Sequence, residues 1–303
     1  MSALRISLLG GVHIAHTAYA AESKVTRSVQ ALLAYLLLQG HRSHSRDALA
    51  GLFWGEHRED QARSCLSTAL WRLRTILEPS GVPRGTYLVV TPMGEVCFNW
   101  ASDYWLDVAV FEELVGQVRV QPTNPLTGIK VQELQNALHL YTGELLEGFY
   151  ADWVLRERER LRTLYLHSLQ RLMEYYQQQR MYAESLAYGQ LILQHDPLRE
   201  DIHRALMRLH GEHGQRVLAA RQYEACRDLL AAELDISPLE ETQTLYAQII
   251  LLDGSRPAPG ANGESMSLQQ ARHQLRLAMR CLNGACEHLQ QAIQLVEGVA
   301  KDR

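Results

Sequence analysis

Residues 62–79, ARSCLSTALWRLRTILEP, hold three guanidinium groups (Arg63, Arg72, Arg74), four short hydroxyls (Ser64, Ser67, Thr68, Thr75) and one indole (Trp71), with no acid before Glu78. Arginine forks onto phosphate oxygens or onto the acceptor edge of guanine. Short hydroxyls let a helix lie deep in a groove without clashing. Between these residues, Ala62, Leu66, Ala69, Leu70, Leu73, Ile76 and Leu77 recur at helical spacing. The pattern predicts one helix with a buried apolar stripe. Its wet side carries Arg63, Ser64, Ser67, Thr68, Trp71, Arg72 and Thr75, a set suited to duplex DNA, and Arg74 is expected as a further DNA-contacting residue. The plainer reading is an ordinary solvated face, because Arg and Ser are common on surface helices.

This helix is basic in an acidic chain. The 303 residues carry a net charge of −4. Residues 1–100 hold ten basic against seven acidic residues, 101–253 hold fourteen against twenty-three, and 254–303 hold six against four. Only the first third is a large piece whose balance suits a polyanion.

Hydrophobic content of 47% and charged content of 21% predict a packed core. The longest apolar patch, ALLAYLLL (residues 31–38), is too short to span a bilayer, so no membrane association is expected. No export signal is apparent at the N-terminus, and five scattered cysteines read as reduced thiols; a cytoplasmic protein is expected. No C-x-x-C pair, P-loop, G-x-S-x-G elbow or H-E-x-x-H motif occurs, so no metal, cofactor or enzymatic activity is expected. His41 and His44 share one turn without a third ligand and read as solvent-exposed. Trp54, Trp105 and Trp153 sit in apolar surroundings and read as core. Arg156, Arg158, Arg160 and Arg162 alternate with Glu157 and Glu159 and read as a charge-laced exposed face.

The elements that must position the basic helix follow from periodicity. LRISLL alternates as a strand with Ile6 and Leu8 on one face, Gly10–Gly11 turns, and VHI resumes. From Thr26, Val29, Leu32, Leu33, Leu36 and Leu37 fall at helical spacing until Gly40. Ser45 is an N-cap for RDALAGLFW, which Gly55 ends. EHRED is an acidic loop before the basic helix. TYLVV and CFN flank a Pro/Gly turn as a hairpin. Strands, three helices and a hairpin outline a winged helix–turn–helix.

Residues 107–253 read as all-helical. Asp107 can cap VAVFEELV, TGELLEGFY interrupts a later helix, and a long helix runs from about Trp153 to Gln179. An offset of 34 residues then pairs Leu172 with Leu206, Ser185 with Ala219, Gly189 with Tyr223, Ile192 with Cys226, and residues 180–182 with 214–216. That period, with small residues at packing positions, matches tetratricopeptide repeats; an unrelated helical bundle is the alternative. Residues 254–267 form a Pro/Gly/Ser linker. Beyond it, Leu268, Leu275, Leu282, Leu289 and Val296, with Ala271, Ala278, Ala285, Ala292 and Val299, keep a heptad of Leu at a and Ala at d. Alanine at d demands a closely approaching partner, either a second copy of the helix or the repeat domain.

With LRISLLGG, TRSVQALLAYLLLQGHRSHSRDALAGLFWG and ARSCLSTALWRLRTIL on the page, residues 1–100 resemble the winged-helix domain of the SARP (antibiotic regulatory protein) family of bacterial activators. DVAVFEELV, LYTGELLEGFYADWVLRERERL and the segment from Asp196 to Ile250 resemble that family's bacterial transcriptional activator domain, a tetratricopeptide-like array. The resemblance covers about residues 3–252. It implies a winged helix–turn–helix over 1–100 and a helical array over 101–253; with the linker over 254–267 and the heptad helix over 268–303 read from composition and spacing, a mainly α protein is expected.

It further implies a sequence-specific, DNA-binding transcriptional activator. Its recognition helix corresponds to Glu59–Leu77, with Arg63, Ser64, Ser67, Thr68 and Arg72 facing the groove. Thr68 and Trp71 stand where Gln or Arg is usual in the family. The wing is Thr86–Asn99, with no Lys or Arg in its tip TPMGE. The loop Gly55–Asp60, with Glu56, Glu59 and Asp60, corresponds to the polymerase-contacting loop and suits a basic patch on sigma factor. The implied partners are promoter DNA, RNA polymerase and a second copy of the chain, bound through the C-terminal helix on direct repeats. The competing class is a repeat-type protein-interaction adaptor whose winged helix binds no DNA.

Overall fold

A computed structural model describes residues 4–16, 25–40, 42–119 and 126–251. It is mainly helical. The chain divides into two units, Met1–Tyr246 and Ala247–Arg303. Of the second unit, the described residues are 247–251. The expected linker 254–267 and heptad helix 268–303 lie outside the described residues, as does His41.

Two strands, β1 (Leu4–Ser7) and β2 (His13–His16), pair antiparallel with Ile6 opposite Ile14. Alternation is strict on β1: Leu4, Ile6 and Leu8 are fully buried. Helices α1 (Arg27–Leu38), α2 (Arg46–Trp54) and α3 (Glu59–Leu77) follow, then β3 (Leu88–Val90) and β4 (Val96–Phe98) as the expected hairpin. The residues expected to form the α1 stripe are all buried, joined by Ala34, and Gly40 ends the helix with φ +54°. Ser45 caps α2 by accepting from the amide of Ala48 at 3.2 Å.

One strand has no counterpart in the sequence reading. Tyr104–Leu106 (β5) pairs parallel with β1, giving the order β2–β1–β5. Three residues carry too little alternation to declare a strand; β5 exists because β1 offers it a free edge. Immediately after it, Asp107 opens α4 (Asp107–Arg119). Its carboxylate is 3% exposed and does more than cap that helix. It accepts from the amide of Val108 at 2.7 Å, from Leu8 at 2.8 and 3.0 Å, and from Leu9 at 2.9 Å. Burial pushes the carboxyl up from its ordinary value of 3.8, while the amides of Leu9, Leu8 and Val108 oppose that shift.

The array is built from α5 (Gly128–Leu140), α6 (Asp152–Gln178), α7 (Tyr182–His195), α8 (Glu200–Glu212), α9 (Arg216–Leu234) and α10 (Glu240–Leu251). The 34-residue offset is physical. Leu172 and Leu206, Ser185 and Ala219, and Ile192 and Cys226 are all buried. Arg180 (φ +58°) and Gly214 (φ +70°) both end a helix left-handed. The next amide reaches back to Tyr176 in one unit and His210 in the other. Gly189 is required by close packing, since a Cβ there would lie 2.6 Å from the Leu206 side chain.

The segment TGELLEGFY docks against the sheet rather than merely interrupting the helices. Leu145 bridges Leu9, Leu146 donates to the carbonyl of Leu8, and Thr142 Oγ1 donates to that of Leu9. Arg158 corrects the expected charge-laced face. It is turned inward to the carbonyls of Leu145, Leu146 and Phe149 at 2.9–3.0 Å, which fixes this segment. Its neighbours Arg160 and Arg162 do pair with Glu157 and Glu159.

Trp153, at the start of α6, is buried against Tyr35 of α1 (5.2 Å between centroids) and Phe53 of α2 (6.4 Å), as expected of a core residue. Trp105 is half-buried, with Arg5 over its ring at 4.0 Å. Among the described residues, no helix is long and apolar enough to cross a membrane.

Replacing Asp107 with Ala strands the amides of Leu8, Leu9 and Val108 without an acceptor. The variant is expected to lose about 3 kcal/mol or more of unfolding free energy, read as a lower urea midpoint at unchanged slope. Because folding raises this carboxyl's pKa, the folded state holds more protons between pH 3.8 and the raised value. Wild-type stability from this group therefore falls as pH rises through that window and is flat above it.

Candidate nucleic-acid interface

Helix α3 is held by Ala62, Leu66, Ala69, Leu70, Leu73 and Leu77, all buried, with Ile76 half-buried. Those are the residues whose spacing predicts the stripe. Arg63, Ser64, Ser67, Thr68, Trp71, Arg72 and Thr75 are exposed. At about 100° per residue, Trp71, Ser64 and Thr75 form the crest. Ser67 and Arg63 fall toward α2, and Thr68 and Arg72 toward α1. Arg63 and Arg72 thus lie on opposite flanks, about half a turn apart around the axis.

Trp71 is 63% exposed, a large apolar surface left in water at the centre of the crest. Around it, Ser67, Thr68 and Thr75 each donate to the carbonyl four residues back, at 2.8, 3.1 and 3.0 Å. With their protons directed inward, the hydroxyl oxygens present lone pairs outward. Arg46 at the start of α2, not anticipated from sequence, donates to Ser67 Oγ at 2.9 Å. No local signal marks Arg46, because only the crossing of α2 and α3 brings it there.

The two flanks differ in charge. Arg63 pairs with Asp47 of α2 at 3.0 Å and with Glu59 at 2.7 Å. All three side chains are more than half exposed, so these pairs are solvent-screened and exchangeable. The hydrogen bond that Arg63 donates to Asp47, followed by the charge of Asp47, raises the Arg63 pKa. Arg72 has no ion-pair partner among the described residues.

Three expectations are corrected. Arg74 is not on the wet face: its guanidinium donates to the carbonyl of Leu88 at 3.1 Å and lies 3.6 Å from Glu78. Glu78 is itself fully buried and accepts from the amides of Gly85, Tyr87 and Leu88, each at 3.0 Å. Arg74 and Glu78 therefore join the end of α3 to the start of β3.

Second, Glu59 and Asp60 are not loop residues but form the first turn of α3, where carboxylates complement the helix dipole. They also place negative charge at the amino end of α3, which disfavours a phosphate there. The connector is Gly55–Arg58, with Glu56 exposed. Third, His44 is not a solvated turn residue. It is half-buried against Tyr35, its backbone pairs with Val96, and burial lowers its pKa. Among the described residues no group of three potential metal ligands occurs.

The wing turns at Thr91–Glu95, where Gly94 takes φ +80° and Met93 is 91% exposed at the tip. Ser43 donates to Glu95, tying this turn to the segment before α2. Trp54 is half-buried at the end of α2, between the clefts on either side of α3.

Residues 106–250 match the model of the bacterial transcriptional activator domain. The chain is 29% identical over 254 residues to the regulatory protein AfsR of Streptomyces coelicolor, covering 83% of this chain and 24% of that protein. It is 27% identical over 261 residues to AfsR of Streptomyces griseus, covering 84% and 26%. The chain thus spans about a quarter of the length of these curated relatives. Mycobacterium tuberculosis EmbR, solved in complex with a low-affinity phosphopeptide, superposes with a TM-score of 0.69 at 18% identity, over 91% of this chain and 72% of that one. That likeness is one of fold.

Glu78→Ala leaves three backbone amides without their acceptor and is expected to lower stability by about 3 kcal/mol. Arg63→Ala, which removes only exposed pairs, leaves the thermal midpoint unchanged. Thermal unfolding of the two variants side by side checks both, and a neutral Glu78→Ala would remove the carboxylate from the role described.

Proposed function

We propose that this chain, which carries a bacterial transcriptional activator domain over residues 106–250 and is of the SARP type, is a transcriptional activator that binds promoter DNA through the crest of α3. The observation that carries the proposal is the solvent-open crest and its shoulders: Ser64, Trp71 and Thr75, with Ser67 and Thr68 beside them, exposed together on a helix whose opposite face is committed to the core. A helix of this shape fits the major groove. The outward hydroxyl oxygens suit amino donors on base edges, and the Trp71 ring suits a thymine methyl. Arg72 and Arg46 supply cations toward phosphates. Arg63 joins them by exchanging Asp47 and Glu59 for a phosphate oxygen.

In this reading residues 1–100 bind DNA and 101–253 form the array that braces them. Exposed Glu56, Glu59 and Asp60, at the α2–α3 junction, face a basic patch on the sigma factor of RNA polymerase. Residues 254–267 link the array to a heptad helix, 268–303, that joins two copies. Two modest DNA-binding modules joined in one dimer gain effective concentration, which offsets the chain's overall acidity.

A protein-interaction adaptor is the second reading. It is favoured by the acid-paired Arg63 and by the cation-free wing tip. Salt discriminates the two, because phosphate contacts release counterions and an adaptor's binding to DNA would not show that slope.

Duplex affinity is expected to fall steeply between 50 and 200 mM salt by this mechanism. Arg72→Ala is expected to weaken duplex binding and to lower the slope of log affinity against log salt by about one. Flat salt dependence, or an Arg72→Ala variant that binds as wild type, would reject the α3 placement. Removing residues 255–303 is expected to halve the particle mass measured by light scattering. A mass that does not fall would place the dimer contact elsewhere.

A further inference from the structure

The crest of α3 descends on the α1 side into a groove lined by Thr26, Ser28, Trp54, Ser64, Thr68 and Arg72. Its chemistry contrasts with that of the cleft on the α2 side. There, Asp47 and Glu59 line the wall beside Arg63 and neutralise it. No carboxylate lines the α1-side groove, so the charge of Arg72 is uncompensated within it. Four hydroxyls, of Thr26, Ser28, Ser64 and Thr68, line the groove together with that one guanidinium. Among the described residues, those of Thr26, Ser28 and Ser64 are in no hydrogen bond. Thr26, at the N-cap of α1, makes no side-chain cap bond. The amides of Arg27 and Ser28, in the first turn of that helix, therefore add donors that α1 itself does not use.

We infer that this groove holds a phosphodiester of the DNA backbone, with Arg72 as counter-charge and Thr26 and Ser28 as hydroxyl donors from α1. The inference rests on the duplex-binding reading above and deepens it. It assigns the phosphate rail on the α1 side of the recognition helix and adds two residues outside that helix to the interface. A tetrahedral oxyanion fits these donors because it accepts from several directions at once, and one guanidinium with neutral hydroxyls balances a single negative charge. The opposite cleft suits the same ligand less well, since a phosphate there must first displace Asp47 and Glu59 from Arg63.

The test uses the full chain and a fluorescent 30-base-pair duplex of mixed sequence, titrated at several salt concentrations. Ser28→Asp places a carboxylate in the groove. At the first turn of α1 a carboxylate favours the helix dipole, so this variant is expected to melt no lower than wild type. A loss of duplex binding then cannot be assigned to unfolding. The expected result is about a tenfold or greater loss of affinity, with the slope of log affinity against log salt reduced by about one. Ser28→Ala, which removes only the hydroxyl, is expected to lose roughly two- to fivefold. If wild type binds with a steep salt slope and Ser28→Asp binds equally well, the groove does not hold a phosphate, while duplex binding by α3 stands. If wild type binds no duplex at any salt, the duplex-binding reading fails, and this inference with it.

Discussion

One buried carboxylate holds the architecture together. Asp107 ends the strand that pairs with β1, starts the first helix of the array, and accepts from two amides just past the end of β1. A carboxylate so removed from water is costly unless its lone pairs are used. Here three backbone amides use them, and those amides would be orphaned without it. Each partner needs the other, so the N-terminal sheet and the helical array cannot separate cheaply. The docking of TGELLEGFY on the same stretch of chain, secured from below by Arg158, extends this joint.

The position of α3 follows from that joint. Trp153, at the head of α6, packs on Tyr35 and Phe53 and so fixes α1 and α2 to the array through aromatic contacts. Helix α2 in turn sets the flank of α3 through Arg46 and Asp47, and the Glu78–Arg74 pair sets its far end against β3. The crest is therefore presented by a rigid scaffold rather than by a loop. A surface meant to enter a groove benefits from this, because side chains already in place lose less entropy on binding.

Charge is managed locally. An acidic chain keeps carboxylates off the crest and off the α1-side groove, while it places them at the amino end of α3 and beside Arg63. The result is a polarised helix. One end and one flank are acid-balanced, and the other flank leaves Arg72 uncompensated. Net charge over 303 residues says little about such a surface, since exposed charges farther apart than a Debye length of about 10 Å hardly sense one another.

Elements whose signals are periodic and local were legible in the order of residues alone. These are the α1 and α3 stripes, the Ser45 cap, the hairpin, and the 34-residue repeat with its paired small and apolar positions. Helical and strand periods are written in consecutive residues, so they survive without knowledge of the fold. Tertiary structure decided what depends on partners far along the chain. It made a strand of Tyr104–Leu106 because β1 had a free edge, turned Arg74 and Arg158 inward to carbonyls that sequence spacing does not reveal, and brought Arg46 to Ser67. It also split Arg63 from Arg72, which look alike in sequence, because α2 supplies carboxylates to one flank of α3 and α1 supplies hydroxyls to the other. A residue's type is local, but the charge it presents is set by whatever the fold lays beside it.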